Sequence, residues 1–198
     1  YLGQAICRPR HQMPEEHYEA MYYAGCQQLT IGMESFSNQV RTHMKKKFSD
    51  TDIEYHLEQC KYWNIPNVFL MITGYPTETI DDHNKNLHDL EKYKDYAKMG
   101  IIEMIRWGTT MHLIPDTPIT NPKYVKELGL EGRDHQPINQ DPSSQYYWHS
   151  TANPTLTLKE RLRRRIELHQ HSVRLGYPQP RVQNELTSVL GMAKLLKS

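Results

Sequence analysis

The first 107 residues alternate between short apolar segments and longer segments with helical periodicity. The apolar segments are predicted strands: YLGQAICR (1–8), CQQLTIGM (26–33), PNVFLMITG (66–74) and IIEMIRW (101–107). With the helices predicted between them, the order is β-α-β-α-α-β-α-β. Strands separated by helices cannot pair as hairpins, and they form a parallel sheet with right-handed crossovers. The sequence therefore predicts an α/β fold with parallel strands.

The pattern changes after residue 108. A proline-punctuated loop and a polar, turn-rich segment come first, and the segment LTLKERLRRRIELHQHSVRLGY (156–177) then predicts a long helix. A last helix is predicted at 182–197, weakened by Gly191. We therefore expect a core at 1–120 and a loop and mainly helical extension at 121–198.

Charge and hydropathy argue against two kinds of partner. The net charge is +1, so no global field favours nucleic acid or an anionic membrane. The mean hydropathy is −0.77, and no window approaches the roughly 18 apolar residues of a membrane span. The arginines of the long helix are expected to form a solvated, ion-paired face rather than a nucleic-acid site, since they alternate with acids at i,i+4-type spacing. These residues are Arg161, Arg163, Arg164 and Arg165 with Glu160 and Glu167.

The cysteines and the start of the chain bear on the cellular compartment in which the protein is expected. Cys7, Cys26 and Cys60 form neither a C-x-x-C pair nor a disulfide framework, and they are predicted to be buried hydrophobes. No signal peptide is visible, so a reducing cytoplasm is expected. Because the chain opens at Tyr1, directly on an apolar run, we expect it to be a piece of a longer protein.

Polar residues cluster where the predicted strands end. Ligands of parallel α/β folds bind beyond the carboxyl ends of the strands. Glu34 follows one strand. Its carboxylate is expected either to accept hydrogen bonds from a ligand, or to act as a helix cap or as a salt-bridge partner, for example of Arg41. Gly74 is expected either to let the backbone approach a ligand closely or to form a tight turn. Glu78 is expected to cap the next helix.

An aromatic segment, YYWHS, lies in the turn-rich region. Its residues Tyr146, Tyr147, Trp148 and His149 are expected either to line a substrate pocket or to pack across the end of the barrel. The eleven histidines show no metal-binding spacing such as H-E-x-x-H, so no metal site is predicted within the chain.

Three segments together resemble the radical S-adenosylmethionine (radical SAM) superfamily. They are AGCQQLTIGMESFSNQVRTHMKKKFS (24–49), IPNVFLMITGYPTETIDD (65–82) and HLIPDTPI (112–119). They are most similar to the branch that often carries an N-terminal cobalamin-binding domain, and the resemblance covers about residues 1–120 well. One departure is Asp116, which stands where many relatives have glycine.

The resemblance implies a partial TIM-like (β/α) barrel of six units, of which this chain would supply about four, and a SAM site at the strand ends. Glu34 and Ser35 would meet the ribose and methionine part of SAM, and Arg41 its carboxylate. Ile72, Gly74, Gly108 and Thr109 would surround adenine. SAM is a zwitterion with a sulfonium and a diol, and a carboxylate, hydroxyls and a guanidinium match those groups.

The activity that the resemblance implies is reductive cleavage of SAM by a [4Fe-4S] cluster. The resulting 5′-deoxyadenosyl radical would act on a small-molecule or unknown substrate, with electrons from a reductant such as flavodoxin or ferredoxin. The cluster-binding motif C-x-x-x-C-x-x-C is absent, so its ligands are expected upstream and this chain alone is expected to be inactive. The resemblance also allows cobalamin in the parent protein.

Two other functions stay open from the residues alone. One is a TIM-barrel enzyme without radicals that uses Glu34 as a general acid or base. The other is a non-catalytic α/β module whose aromatic tail binds a partner.

Overall fold

The computed structural model describes residues 1–108, 110–138 and 145–179. Thr109 and the predicted helix at 182–197 lie outside the described residues. No helix in the described part of the chain is both long enough and apolar enough to cross a membrane.

A four-stranded parallel sheet forms the centre of the fold. Its strands are β1 (Leu2–Ala5), β2 (Gln28–Glu34), β3 (Asn67–Met71) and β4 (Ile102–Arg106). They lie side by side in the order β1-β2-β3-β4, and every neighbouring pair is parallel. The predicted α/β fold with a partial parallel barrel is confirmed, because each crossover contains at least one helix.

Helices occupy every connection of the sheet. They are α1 (Glu15–Tyr23), α2 (Asn38–His43), α3 (Asp50–Tyr62) and α4 (Ile80–Lys98). A capping box begins α4, since the Thr79 side chain accepts from the Asp82 amide and Asp82 accepts from the Thr79 amide.

The two faces of the sheet differ in burial. Along β2, Leu29, Ile31 and Met33 are buried in the main apolar core, which also contains side chains of the surrounding helices. Residues Thr30 and Gly32 alternate with them on the opposite face and are only half-buried. The helices therefore cover one face, and the other face is left to line a cavity.

In its described residues, the region after the sheet joins helices to a short antiparallel ladder. It contains α5 (Pro122–Glu127), the short antiparallel strands β5 (Leu130–Glu131) and β6 (His149–Ser150), and α6 (Leu158–Arg174). A second apolar cluster holds this region together, and its buried members are Leu113, Leu128, Leu130, Ile138, Trp148 and Leu156. Strands of two residues are too short to produce a periodic signal in the sequence.

The arginines of α6 correct one expectation. The prediction of a solvated face was wrong for Arg161, Arg164 and Arg165, which are all buried. Of the four arginines considered in the sequence, only Arg163 is exposed, and it pairs with Glu160 and Glu167 as predicted. The buried arginines instead donate to carbonyl groups of distant loops, which ties α6 to those loops.

A buried polar network joins α1, α3 and β3 behind the sheet. Tyr18 Oη lies 2.9 Å from His56 Nδ1, and His56 Nε2 lies 2.9 Å from Asn67 Oδ1. Burial lowers the pKa of His56 to about 4, against a hydrogen bond with Asn67 that raises it. The imidazole is therefore neutral in the folded chain at physiological pH.

This network predicts acid-sensitive stability. Because the folded-state pKa of His56 lies below the ordinary value of 6.5, the unfolded chain takes up the proton first as pH falls. The contribution of the neutral His56 to the free energy of unfolding is fully present above about pH 6.5. It falls as the pH decreases toward about 4, and at pH 5 the loss is about 2 kcal/mol. Urea unfolding at pH 7.5 and pH 5 should show this loss, and His56→Gln should reduce it. Equal pH dependence of both proteins would contradict the assignment.

Candidate functional site

Glu34 ends β2 in a strained backbone conformation. Its φ is +66°, in the left-handed region that side chains other than glycine rarely adopt. The pairing register with β3 shifts between Gly32 and Glu34, and the Ile72 amide donates to the Glu34 carbonyl at 2.8 Å. This bulge turns the Glu34 side chain toward the open side of the strand ends.

The partner of Glu34 is Lys46. Lys46 Nζ lies 3.0 Å from Glu34 Oε1 and 3.3 Å from the Gly32 carbonyl oxygen. A Cβ at Gly32 would lie 2.9 Å from Glu34 Oε1, so the glycine makes room for the carboxylate. The sequence had offered a helix cap or Arg41 as structural partners, but Ser37 caps α2 and Arg41 points elsewhere.

Two cavities meet at this ion pair. One, of about 910 Å³, runs along the open face of the sheet and the free edge of β1, with Arg8, Thr30 and Leu70 among its lining residues. The other, of about 320 Å³, is mostly apolar and is lined by residues of α2, of the strand-end loops and of the helix Pro122–Glu127. These include His43, Ile72, Tyr75, His112, Ile114 and Tyr124. Glu34 and Lys46 line both cavities, so they stand at the passage between them.

Ser35 and Arg41 lie behind this passage. Both are fully buried, and Arg41 Nη1 donates to the carbonyls of Ser35 and Phe36 at 3.0 and 2.7 Å. Arg41 also forms an ion pair with Asp50. In this arrangement the guanidinium fixes the turn that follows Glu34. The assignments of Ser35 and Arg41 to SAM stay predictions.

Gly74 is approached closely by α6. Its φ is +79°, and a Cβ built there would lie 2.5 Å from Arg161 Cγ. The Gly74 amide donates to Glu78 Oε2 at 2.9 Å. The expectation that Glu78 caps α4 was wrong, because Thr79 is the cap and Glu78 is 1% exposed and paired with Arg164 at 3.2 Å. Burial raises the pKa of Glu78, and the Gly74 amide and Arg164 oppose that shift.

The loop after β4 is also held by an arginine of α6. The Gly108 carbonyl accepts a hydrogen bond from Arg165, and Thr110 continues the edge as an isolated parallel bridge to Thr73. The structure therefore brings Glu34, Ile72, Gly74 and Gly108 to one edge of the sheet. Their assignment to a SAM site stays a prediction.

The aromatic segment divides between surface and interior. Trp148 is 1% exposed, donates from Nε1 to the Met111 carbonyl at 2.9 Å and carries the Arg161 guanidinium 3.6 Å above its ring. Tyr146 is about half exposed and packs edge-on against His112, which lines the smaller cavity. Trp148 belongs to the second apolar cluster, and the assignment of Tyr147, Trp148 and His149 to a substrate pocket stays a prediction. His149 lies on β6 and contacts Glu131.

The cysteines behave as the sequence predicted. All three are free thiols and buried, which confirms the expectation of small apolar residues. Burial raises the pKa of Cys60 to about 12 and also raises the pKa of Cys7. Thiols with such pKa values stay protonated at neutral pH, whereas ligation of iron requires thiolates.

Two features of this edge were accessible from sequence only in part. Lys46 is one of three consecutive lysines, and nothing in the run singles it out as the partner of Glu34. Asp116 has a φ of +59°, the left-handed conformation for which glycine is favoured. That conformation gives a physical reason for the glycine that many members of the radical SAM superfamily have at this position.

No protein-family model and no curated protein matches the sequence. Among solved structures, the chain is similar to the radical S-adenosylmethionine methyltransferase TsrM from Kitasatospora setae. The structure of TsrM with cobalamin and a [4Fe-4S] cluster bound is 15% identical, with a TM-score of 0.51 over 72% of this chain and 28% of TsrM. The structure of TsrM with tryptophan substrate and the SAM analogue aza-SAM bound is 12% identical, with a TM-score of 0.56 over 83% of this chain and 34% of TsrM.

The comparison concerns the fold and only part of the larger protein. The chain spans about a third of the length of TsrM, and identities this low carry no residue roles. The parallel sheet with its crossover helices and the helical C-terminal region are consistent with the fold of TsrM. This chain therefore has an α/β partial-barrel fold similar to part of the radical S-adenosylmethionine methyltransferase TsrM.

Proposed function

We propose that this chain is the SAM-binding part of a radical SAM enzyme. The parent activity would be reductive cleavage of SAM to a 5′-deoxyadenosyl radical that acts on a substrate not yet identified. Two independent lines support this: the three sequence segments that resemble the superfamily, and the fold shared with TsrM. Cobalamin and a flavodoxin- or ferredoxin-type reductant remain expectations for the parent protein.

The observation that carries the proposal is the conformation and position of Glu34. A non-glycine residue at φ +66° costs roughly 1 kcal/mol, and such strain is concentrated at functional sites. Here the strain places a carboxylate between two cavities at the carboxyl edge of a parallel sheet. In open α/β sheets this is the edge at which ligands bind.

The residues at this edge match the chemistry of SAM. The Glu34 carboxylate could accept hydrogen bonds from the ribose hydroxyls or the ammonium group, and Lys46 offers a cation for the ligand carboxylate. Ile72 and the neighbouring apolar wall of the smaller cavity suit an adenine ring. The ion pair with Lys46 also favours a binding role for Glu34 over that of a general base, since the carboxylate already has a cationic partner.

The cysteines of this chain do not fit a [4Fe-4S] cluster. The cluster of this superfamily needs three thiolates, whereas Cys7 and Cys60 are buried and burial raises the pKa of both thiols. We therefore assign no electron-transfer step to these residues. The cluster ligands would have to come from outside this chain.

Glu34→Gln should test the SAM site. In the full-length protein we expect SAM affinity to fall at least tenfold, because a charge-assisted hydrogen bond contributes about 1.5–3 kcal/mol. The melting temperature should change little, since Glu34 is partly exposed and its ion pair is near the surface. Equilibrium dialysis with SAM and thermal unfolding measure the two quantities separately.

Glu54→Gln is the matched control. Glu54 forms a comparable ion pair with Lys92 on the outer helices, away from both cavities, so SAM affinity should be unchanged. A Glu34→Gln protein that melts at a clearly lower temperature but binds SAM normally would show that Glu34 is structural.

A further inference from the structure

Three metal-ligating side chains converge on the β5–β6 ladder. Glu131 and His149 are direct cross-strand partners, and Glu131 Oε2 lies 3.0 Å from His149 Nε2. The same carboxylate oxygen lies 2.6 Å from His135 Nδ1. One ligand atom from each of the three residues lies within 4.8 Å of the other two.

This spacing is close to what a tetrahedral zinc ion requires. Zinc binds histidine nitrogen at about 2.0–2.1 Å and carboxylate oxygen at about 2.0–2.2 Å, so neighbouring ligand atoms lie roughly 3.3 Å apart. The two oxygen–nitrogen distances, 3.0 and 2.6 Å, are shorter than this separation. A small rotation of the exposed His135 ring would open the cluster to that size.

The backbone holds His135 toward the ladder. Asp134 and His135 both have positive φ, +52° and +62°, so the chain turns back on itself directly after β5. The rings of His135 and His149 then stand edge to face, with centroids 4.9 Å apart and an interplanar angle of 87°. Two imidazoles and one carboxylate on separate segments form a donor set typical of zinc sites that leave a position open.

We propose that Glu131, His135 and His149 form a zinc-binding site that ties β5 to β6. The fourth position would face solvent, because His135 is largely exposed and the other two residues are half-buried. Sequence spacing could not reveal this site, since Glu131 and His149 are 18 residues apart and only the antiparallel pairing brings them together. The site is independent of the SAM site proposed above.

Zinc titration of the full, tag-free chain tests the proposal. Calorimetry should show one Zn²⁺ bound per chain, and Co²⁺ should give the intense visible absorption of a four-coordinate ion. His149→Ala and Glu131→Gln should each weaken Zn²⁺ binding at least tenfold. Zinc should also raise the melting temperature of the unmodified chain but not that of His135→Ala, a variant of an exposed residue that leaves the fold intact.

His88→Ala serves as the control, because His88 is an exposed histidine beside an acid, Asp89, on α4 and remote from the ladder. Its Zn²⁺ affinity should equal that of the unmodified chain. Zinc binding that survives all three ladder variants, or that falls in His88→Ala instead, would overturn the proposal. Absence of stoichiometric Zn²⁺ binding by the unmodified chain would do the same.

Discussion

Arg164→Met is expected to destabilise the chain by about 3–5 kcal/mol, the cost of leaving a buried charge without its partner. Arg164 Nη1 donates to Glu78 Oε1 and to the carbonyls of Glu78 and Thr79. Glu78 is 1% exposed, so water cannot replace the lost guanidinium. Burial already raises the pKa of Glu78, and removal of Arg164 would raise it further. Urea unfolding at pH 7.5 gives the free energy directly.

The neighbouring Arg163 provides a matched control. It is exposed and pairs with Glu160 and Glu167, so Arg163→Met should cost less than about 1 kcal/mol. Adding Glu78→Gln to Arg164→Met should recover part of the stability, because the buried site then carries no charge. Equal losses for Arg163→Met and Arg164→Met would show that Glu78 does not depend on its ion pair.

Gly74→Ala should produce a comparable loss through a different cause. Alanine at φ +79° costs roughly 1–2 kcal/mol from backbone conformation alone. The new Cβ would also lie 2.5–3.0 Å from three carbons of the buried Arg161 side chain, which packs over Trp148. Overpacking of this kind adds about 1–3 kcal/mol, so we expect a total of roughly 2–5 kcal/mol.

Gly100→Ala separates the two contributions. Gly100 has nearly the same φ, +78°, but a Cβ there has nothing within 4 Å. It should therefore show only the conformational cost. The difference between the two variants, measured by urea unfolding, reports the contact with Arg161. If Gly74→Ala were no worse than Gly100→Ala, the Arg161 side chain would have to move aside without cost.

The sheet could be predicted from sequence because its signals are local. PNVFLMITG is continuously apolar, and the Thr79–Asp82 capping box marks the next helix within four residues. The same locality explains the carboxylate at a strand end. The position of Glu34 could be predicted from the end of β2. Its partner Lys46, 12 residues later, could not be predicted in this way.

The C-terminal region could not be predicted because its contacts are distant. Arg164 and Glu160 have the i,i+4 spacing of a solvated pair, and that pair does form. The sequence gives no sign that the same guanidinium also reaches Glu78. Trp148 likewise lies in a turn-rich segment that favours the surface, but the loop folds it under Arg161. Residue type and spacing describe an isolated helix or loop, and burial is decided by what packs against it.

The buried arginines of α6 also bear on how the chain is synthesised. Glu78 precedes Arg164 by 86 residues, and at about 5–20 residues per second a ribosome needs several seconds to add them. During that interval the Glu78 side chain lacks its guanidinium partner, and the loop carbonyls lack the hydrogen bonds from α6. The sheet can assemble while the chain is still growing, but the loops at its carboxyl edge reach their final arrangement only after α6 has left the ribosome. Nascent chains stalled before α6 should therefore have an assembled sheet but lack the contacts between α6 and the loops at the carboxyl edge of the sheet.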